Sequence, residues 1–107
     1  MMSANKQQVS YEISGLMLNT NTREVYLNNQ LIDVTGLEFS LLHLLMSLSP
    51  QIVTREFIAN EIFQCSLASC NKRISIHLLN IRKKLHEITN KELIKTIRGQ
   101  GYSLLWY

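Results

Sequence analysis

Asn71-Lys72-Arg73-Ile74-Ser75-Ile76-His77-Leu78-Leu79-Asn80-Ile81-Arg82-Lys83-Lys84-Leu85, followed after a short gap by Leu93-Ile94-Lys95-Thr96-Ile97-Arg98-Gly99-Gln100-Gly101-Tyr102-Ser103-Leu104-Leu105-Trp106, decides the fold. In the first run Ile74, Leu78, Ile81 and Leu85 recur at i, i+4, i+7 and i+11. That is one narrow apolar stripe, and it predicts a helix from 71 to about 88. In the second run apolar residues alternate over 93–97 and 102–106. They flank Arg98-Gly99-Gln100-Gly101, where two glycines permit a tight or irregular turn, so a terminal β-hairpin is expected.

The same stretch carries the charge. Eight of the eleven Lys and Arg residues lie between Lys72 and Arg98, opposed there only by Glu87 and Glu92, an excess of six positive charges. Residues 1–70 have the opposite sign, −3, so the net +3 of the chain is polarised. A helix and hairpin loaded in this way form the footprint of a surface that meets a polyanion.

Upstream, Cys65 and Cys70 bound a segment, 65–70, read as a loop, and a second helix is expected to end before it near Gln64. Thr54 caps that helix, Glu56 in its first turn suits the helix dipole, and Phe57, Ile58, Ile62 and Phe63 follow helical spacing. Thr35-Gly36-Leu37-Glu38 is a capping box, so a first helix runs from there to about Ser47 and is stopped by Pro50. Its expected buried stripe is Leu37, Leu41, Leu44, Leu45 and Leu48. From Tyr11 onward short alternating runs (Tyr11/Ile13, Leu16/Leu18, Val25/Leu27, Leu31) are broken by Ser14-Gly15 and Asn28-Asn29, the pattern of a small antiparallel sheet. Asn28-Asn29 signals a tight hairpin, because asparagine tolerates positive φ.

At 107 residues the chain fits one domain, 11–107, behind a polar tail, 1–10. The longest apolar run, 41–46, is interrupted by His43 and falls far short of the roughly twenty residues that span a bilayer. No membrane is therefore expected, and the two cysteines are taken as free thiols of a reducing cytoplasm. His43, His77 and His86 are scattered without ligand spacing, so neither metal nor cofactor is expected. No nucleophile, base and orienting acid come together in the sequence, and an enzyme is not expected.

Strands, three helices and a closing hairpin give an α+β fold, a winged helix-turn-helix: N-terminal antiparallel sheet, helical core, C-terminal wing. Four blocks in order strengthen this: Thr35-Gly36-Leu37-Glu38-Phe39-Ser40-Leu41-Leu42, Val53-Thr54-Arg55-Glu56, Ile76-His77-Leu78-Leu79-Asn80-Ile81-Arg82-Lys83-Lys84-Leu85 and Ile94-Lys95-Thr96-Ile97-Arg98-Gly99-Gln100-Gly101-Tyr102. They resemble the DNA-binding effector domain of OmpR/PhoB-type bacterial response regulators. The His-x-x-Asn-x-Arg of the third helix and the leucine-rich first helix are most similar to the CpxR branch.

The resemblance implies sequence-specific binding of double-stranded DNA, third helix in the major groove and wing in the minor groove. On the helical wheel Arg73, His77, Asn80 and Lys84 share one flank, while Lys72, Ile76, Leu79 and Lys83 face away from the core. Asn80 can pair bidentately with adenine, Arg73 with guanine or a phosphate, and Leu79 can pack on a thymine methyl. Ile76 is expected to pack at the start of the helix. For Lys72, Arg73, Lys83 and Lys84 the alternative is a solvated helix face, and for His77 a partly buried histidine bonded to backbone.

In the wing the resemblance implies Arg98 in the minor groove, with Thr96 and Tyr102 on the DNA backbone; Gly99 and Gly101 would let main chain approach phosphate. The alternative for Tyr102 is a core aromatic anchoring the hairpin. Thr54 and Arg55 open a helix whose amides favour a phosphate, although capping alone explains Thr54. The implied partners are a second copy on tandem half-sites, RNA polymerase through the loop 65–70, and a receiver domain with its sensor kinase in a longer protein. That loop reads equally as a plain connector. A winged-helix module for an acidic protein partner is the competing class.

Overall fold

The computed structural model describes residues 10–105. The expected tail lies outside them apart from Ser10, which opens the first strand, and so does Trp106. Strands β1 (Ser10–Ile13), β2 (Leu16–Asn19), β3 (Glu24–Leu27) and β4 (Gln30–Ile32) form an antiparallel meander. Its tight turns use positive φ at both central residues, Ser14 (54°) with Gly15 (87°) and Asn28 (51°) with Asn29 (68°). Turns of that hand match the twist of the flanking strands. One face of the sheet, Ile13, Leu16, Leu18, Val25, Leu27 and Ile32, is buried.

Helix α1 (Gly36–Leu48) begins in the expected capping box: Glu38 N donates to Thr35 Oγ1 at 3.2 Å, and Thr35 N donates to Glu38 Oε1 at 3.0 Å. Its buried apolar residues are Phe39, Leu41, Leu42, Leu45 and Met46, while Leu37, Leu44 and Leu48 are only half-buried. The helix touches β1, the third helix and the last strand at once, so its apolar face is wider than the single leucine stripe and rotated from it.

After Ser49-Pro50 the chain forms a short strand, β5 (Val53–Thr54), which the sequence pattern did not announce. Thr54 then caps α2 (Arg55–Ile58), accepting from Phe57 N at 3.0 Å. The helix widens into a π-helical turn, Ala59–Phe63, and stops at Gln64 in the left-handed conformation. The wider turn shifts the side-chain register: Ile58 and Ala59 are buried, Ile62 and Phe63 half-buried, and Phe57 exposed.

Helix α3 spans Leu67–His86 and starts four residues earlier than its apolar stripe suggested. Ser66 is its N-cap, its hydroxyl accepting from Ser69 N at 3.3 Å. Most of the expected loop 65–70 is therefore helix. Cys70, fully buried, extends the stripe Ile74/Leu78/Ile81/Leu85 by one turn, acting as a small hydrophobe.

Strands β6 (Ile94–Ile97) and β7 (Gly101–Leu104) form the hairpin, and β5 pairs with β7 to give the order β5-β7-β6. Gly99 holds the turn at φ 74°. Gly101 is constrained by close approach: a Cβ there would sit 2.0 Å from Val53 O. Packing against β5 is by itself enough to require glycine there.

Candidate nucleic-acid interface

Helix α3 has three environments outside the core stripe, distinguished by hydrogen bonds, ring contacts and exposure. One flank, Asn71, Ser75 and Arg82, faces the hairpin. Arg55, at the start of α2, donates through Nε to Asn71 Oδ1 (2.7 Å) and through Nη2 to Asn71 O (2.7 Å) and Ser75 Oγ (2.9 Å). Its Nη1 donates to the Tyr102 hydroxyl. Arg82 Nη2 donates to Ile94 O (3.0 Å) and Thr96 Oγ1 (2.7 Å). Both guanidinium groups lie over the Tyr102 ring, at 5.6 and 5.8 Å from its centroid. Two arginines thus clamp α3, α2 and the wing into one body, and α3 and the wing stand side by side.

The opposite flank faces the π-helical turn and α1. Arg73 lies 4.8 Å over the Phe63 ring, and the half-buried His77 ring is 5.6 Å from the same ring. Asn80 is half-buried in this row. Lys84, expected among the polyanion-facing cations, turns inward: its ammonium lies 2.6 Å from Glu38 Oε1 and 2.7 Å from Asp33 O. Glu38 is buried, and a buried carboxylate requires a counter-charge.

Between these flanks Lys72, Ile76, Leu79 and Lys83 are all exposed. Ile76, expected to pack at the start of the helix, sits in its third turn and points to solvent, because α3 begins at Leu67. The wing presents Lys95, Thr96 and Arg98, also exposed, with Lys95 and Thr96 on opposite faces of β6. Arg55, Asn71, Thr96, Arg98 and Tyr102 line an open cleft of about 410 Å³ where the starts of α2 and α3 meet the hairpin.

The family model described as "Transcriptional regulatory protein, C terminal" matches residues 28–104. The chain belongs to that family. Its members include the regulatory protein VanR of Enterococcus faecium, 37% identical over 93 residues, covering 85% of this chain and 40% of VanR. CpxR of Escherichia coli (strain K12) is 34% identical over 95 residues, covering 88% of this chain and 41% of CpxR. The chain spans about two-fifths of the length of these relatives. The crystal structure of the DNA-binding domain of E. coli CpxR superposes with a TM-score of 0.82 at 32% identity, covering 92% of this chain and 97% of that one. The fold is thus the winged helix of the OmpR/PhoB-type effector family.

Within that family frame the structure sorts the residues singled out by sequence. Lys72, Leu79 and Lys83 are exposed on α3, and Thr96 and Arg98 are exposed on the hairpin that adjoins it. Arg73, His77 and Asn80 lie on the flank of α3 away from the wing. Thr54 is an exposed cap, Arg55 is committed to α3 and Tyr102, and Tyr102 is buried as the hairpin's core aromatic. Asn71, Ser75, Ile76, Arg82 and Lys95 were missed. Asn71, Ser75 and Arg82 repeat at i, i+4 and i+11, the signal of a single helical row, but nothing in the sequence says that the wing packs along it.

Among the described residues no helix is long and apolar enough to cross a membrane. Cys65 and Cys70 are free thiols. Burial, followed by a hydrogen bond with Cys65, pushes the Cys70 thiol above its ordinary pKa.

Proposed function

We propose that this chain binds double-stranded DNA sequence-specifically as the effector module of a bacterial transcription regulator. Helix α3 enters the major groove and the β6–β7 wing reaches the minor groove. The observation that carries the reading is the junction of an exposed cationic helix with the wing: Lys72 and Lys83 are exposed on α3 and Arg98 on the hairpin, and Arg55 and Arg82 bond α3 to the wing. Lys72, Lys83 and Lys95 meet phosphates. Asn80 and Arg73 reach base edges from the flank of the helix, and Arg98 suits the negative potential of a narrow minor groove. Thr54 and the start of α2 approach a phosphate. Thr96 and Tyr102 act through Arg82 and Arg55, which they position.

The resemblance and the relatives' greater length support a longer protein in which a receiver domain, acted on by a sensor kinase, precedes this module. They also support a second copy on tandem half-sites and work in the bacterial cytoplasm. A polymerase contact, if made at the α2–α3 connection, has only residues 64–66 outside helix to offer.

Selection of bound duplexes from a random pool tests the reading, with affinity then followed against salt. Recovery of one motif and a steep fall of affinity with salt is the expected result. Each neutralised phosphate should contribute about 0.9 to the slope of log K against log salt. A flat dependence would transfer the surface to an acidic protein partner. Asn80→Ala should relax preference at one base position at a cost of about 1–3 kcal/mol on the selected site. Unchanged discrimination among single-base variants would remove Asn80 from the reading set.

A further inference from the structure

Ile76 and Leu79 are 54% and 51% exposed, two large aliphatic side chains between the exposed Lys72 and Lys83 of α3. Neither serves the core. They belong to the row Lys72, Ile76, Leu79 and Lys83, which repeats the i, i+4, i+7, i+11 spacing of the core stripe Ile74/Leu78/Ile81/Leu85 two residues earlier. A shift of two residues is about 200° around the helix, so this row stands opposite the core. Its composition is graded, with a lysine at either end and aliphatic carbon between.

The dimensions of the row fit a grooved polyanion. Lys72 and Lys83 are eleven residues apart, about 16 Å along the axis. The major groove is about 12 Å wide, so flexible lysine tips at the two ends reach its phosphate walls while the middle of the row meets base edges. At those edges the only aliphatic group is the C5 methyl of thymine. Cytosine offers an amino donor instead, which an isobutyl or sec-butyl group would cover without supplying an acceptor. Residues 76 and 79 lie about 4.5 Å apart along the helix, closer to one base-pair step of about 3.4 Å than to two.

We propose that Ile76 and Leu79 form a methyl-reading couplet that selects neighbouring thymines in the major groove. The proposal rests on the DNA-binding reading above and deepens it: this helix discriminates at its centre by aliphatic contact with 5-methylpyrimidine edges, and its lysines fix register on phosphate. An apolar protein surface is a poorer occupant, because it would have to satisfy lysines at both ends of the same row.

The test replaces each thymine of a selected duplex singly by deoxyuridine, which deletes the methyl and leaves O4 and base pairing intact. Wild-type protein should bind about fourfold more weakly for each methyl lost at one or two adjacent positions, the worth of one buried methyl-sized group. Leu79→Ala should be indifferent to uracil at one of these positions and Ile76→Ala at the other. Each variant on the thymine duplex should bind as wild type does on the corresponding uracil duplex. Leu31→Ala, which trims an exposed leucine on β4, should keep the full uracil penalty. Equal wild-type affinity for thymine and uracil at every position overturns the couplet and leaves DNA binding intact. A uracil penalty undiminished in both alanine variants assigns the methyl contact elsewhere and also overturns it. Failure to bind any duplex overturns the couplet together with the function it rests on. Both side chains lie outside the core, so the variants should melt with wild-type cooperativity, which circular dichroism checks.

Discussion

Lys84 shows how one residue's role changes when its partner is known. Among four basic residues on the solvent side of a helix it reads as a polyanion contact, yet its ammonium neutralises Glu38, whose carboxylate also closes the cap of α1. Lys84→Met should lower the free energy of unfolding by about 1–2 kcal/mol, less than for a fully buried pair because the lysine side chain is 32% exposed. Urea titration measures the loss, and the DNA motif should be unchanged. Thr35→Ala, at the other half of the cap, should cost about 1 kcal/mol in the same assay and likewise leave the motif alone. A shifted motif in either variant would contradict the structural role. The cysteines differ in the same local way. Burial and the raised pKa of Cys70 leave less thiolate at a given pH, so an alkylating reagent should label the partly exposed Cys65 first and Cys70 only on unfolding. Equal labelling rates in native protein would contradict that burial.

At the scale of elements, Arg55 is the joint. It opens α2, and its guanidinium fork reaches Asn71 and Ser75 of α3 and Tyr102 of β7. Arg55→Ala should cost about 2 kcal/mol of stability, typical of charge-assisted hydrogen bonds lost together, and should weaken duplex binding through misalignment of α3 and the wing. Arg55→Lys should recover little of either, because an ammonium cannot reproduce the fork. Comparing unfolding and duplex titration for the two variants decides this, and full rescue by lysine would show that charge alone matters. Sequence made the caps at Thr35 and Thr54, the primed turn at Asn28-Asn29 and the core stripe of α3 legible, because each depends on residues within one or two turns of chain. The start of α3, the π-helical turn and β5 were not. Cys65 and Cys70 read as punctuation when one of them was core, and a two-residue strand exists only because β7 lies alongside it.

At the scale of the whole molecule, the charge polarity read from composition becomes an orientation. Helix α3 and the wing, which carry the charge, are bonded together through Arg82, and the N-terminal sheet packs on α1 through β1. Arg98→Ala should therefore weaken binding most on sites with a narrow A/T-rich minor groove and reduce the salt slope by about 0.9, whereas equal losses on G/C-flanked sites would argue against wing insertion. The order of the larger elements, the amphipathic period of α3 and the concentration of charge between Lys72 and Arg98 were determined by sequence alone, since periodicity and charge are properties of neighbouring residues. Which cations stay free was decided only in three dimensions. A buried carboxylate on α1 captured Lys84, the wing sheet captured Arg55 and Arg82, and Ile76 was left in water. Pairing of that kind joins residues distant in the chain, and no local pattern encodes it.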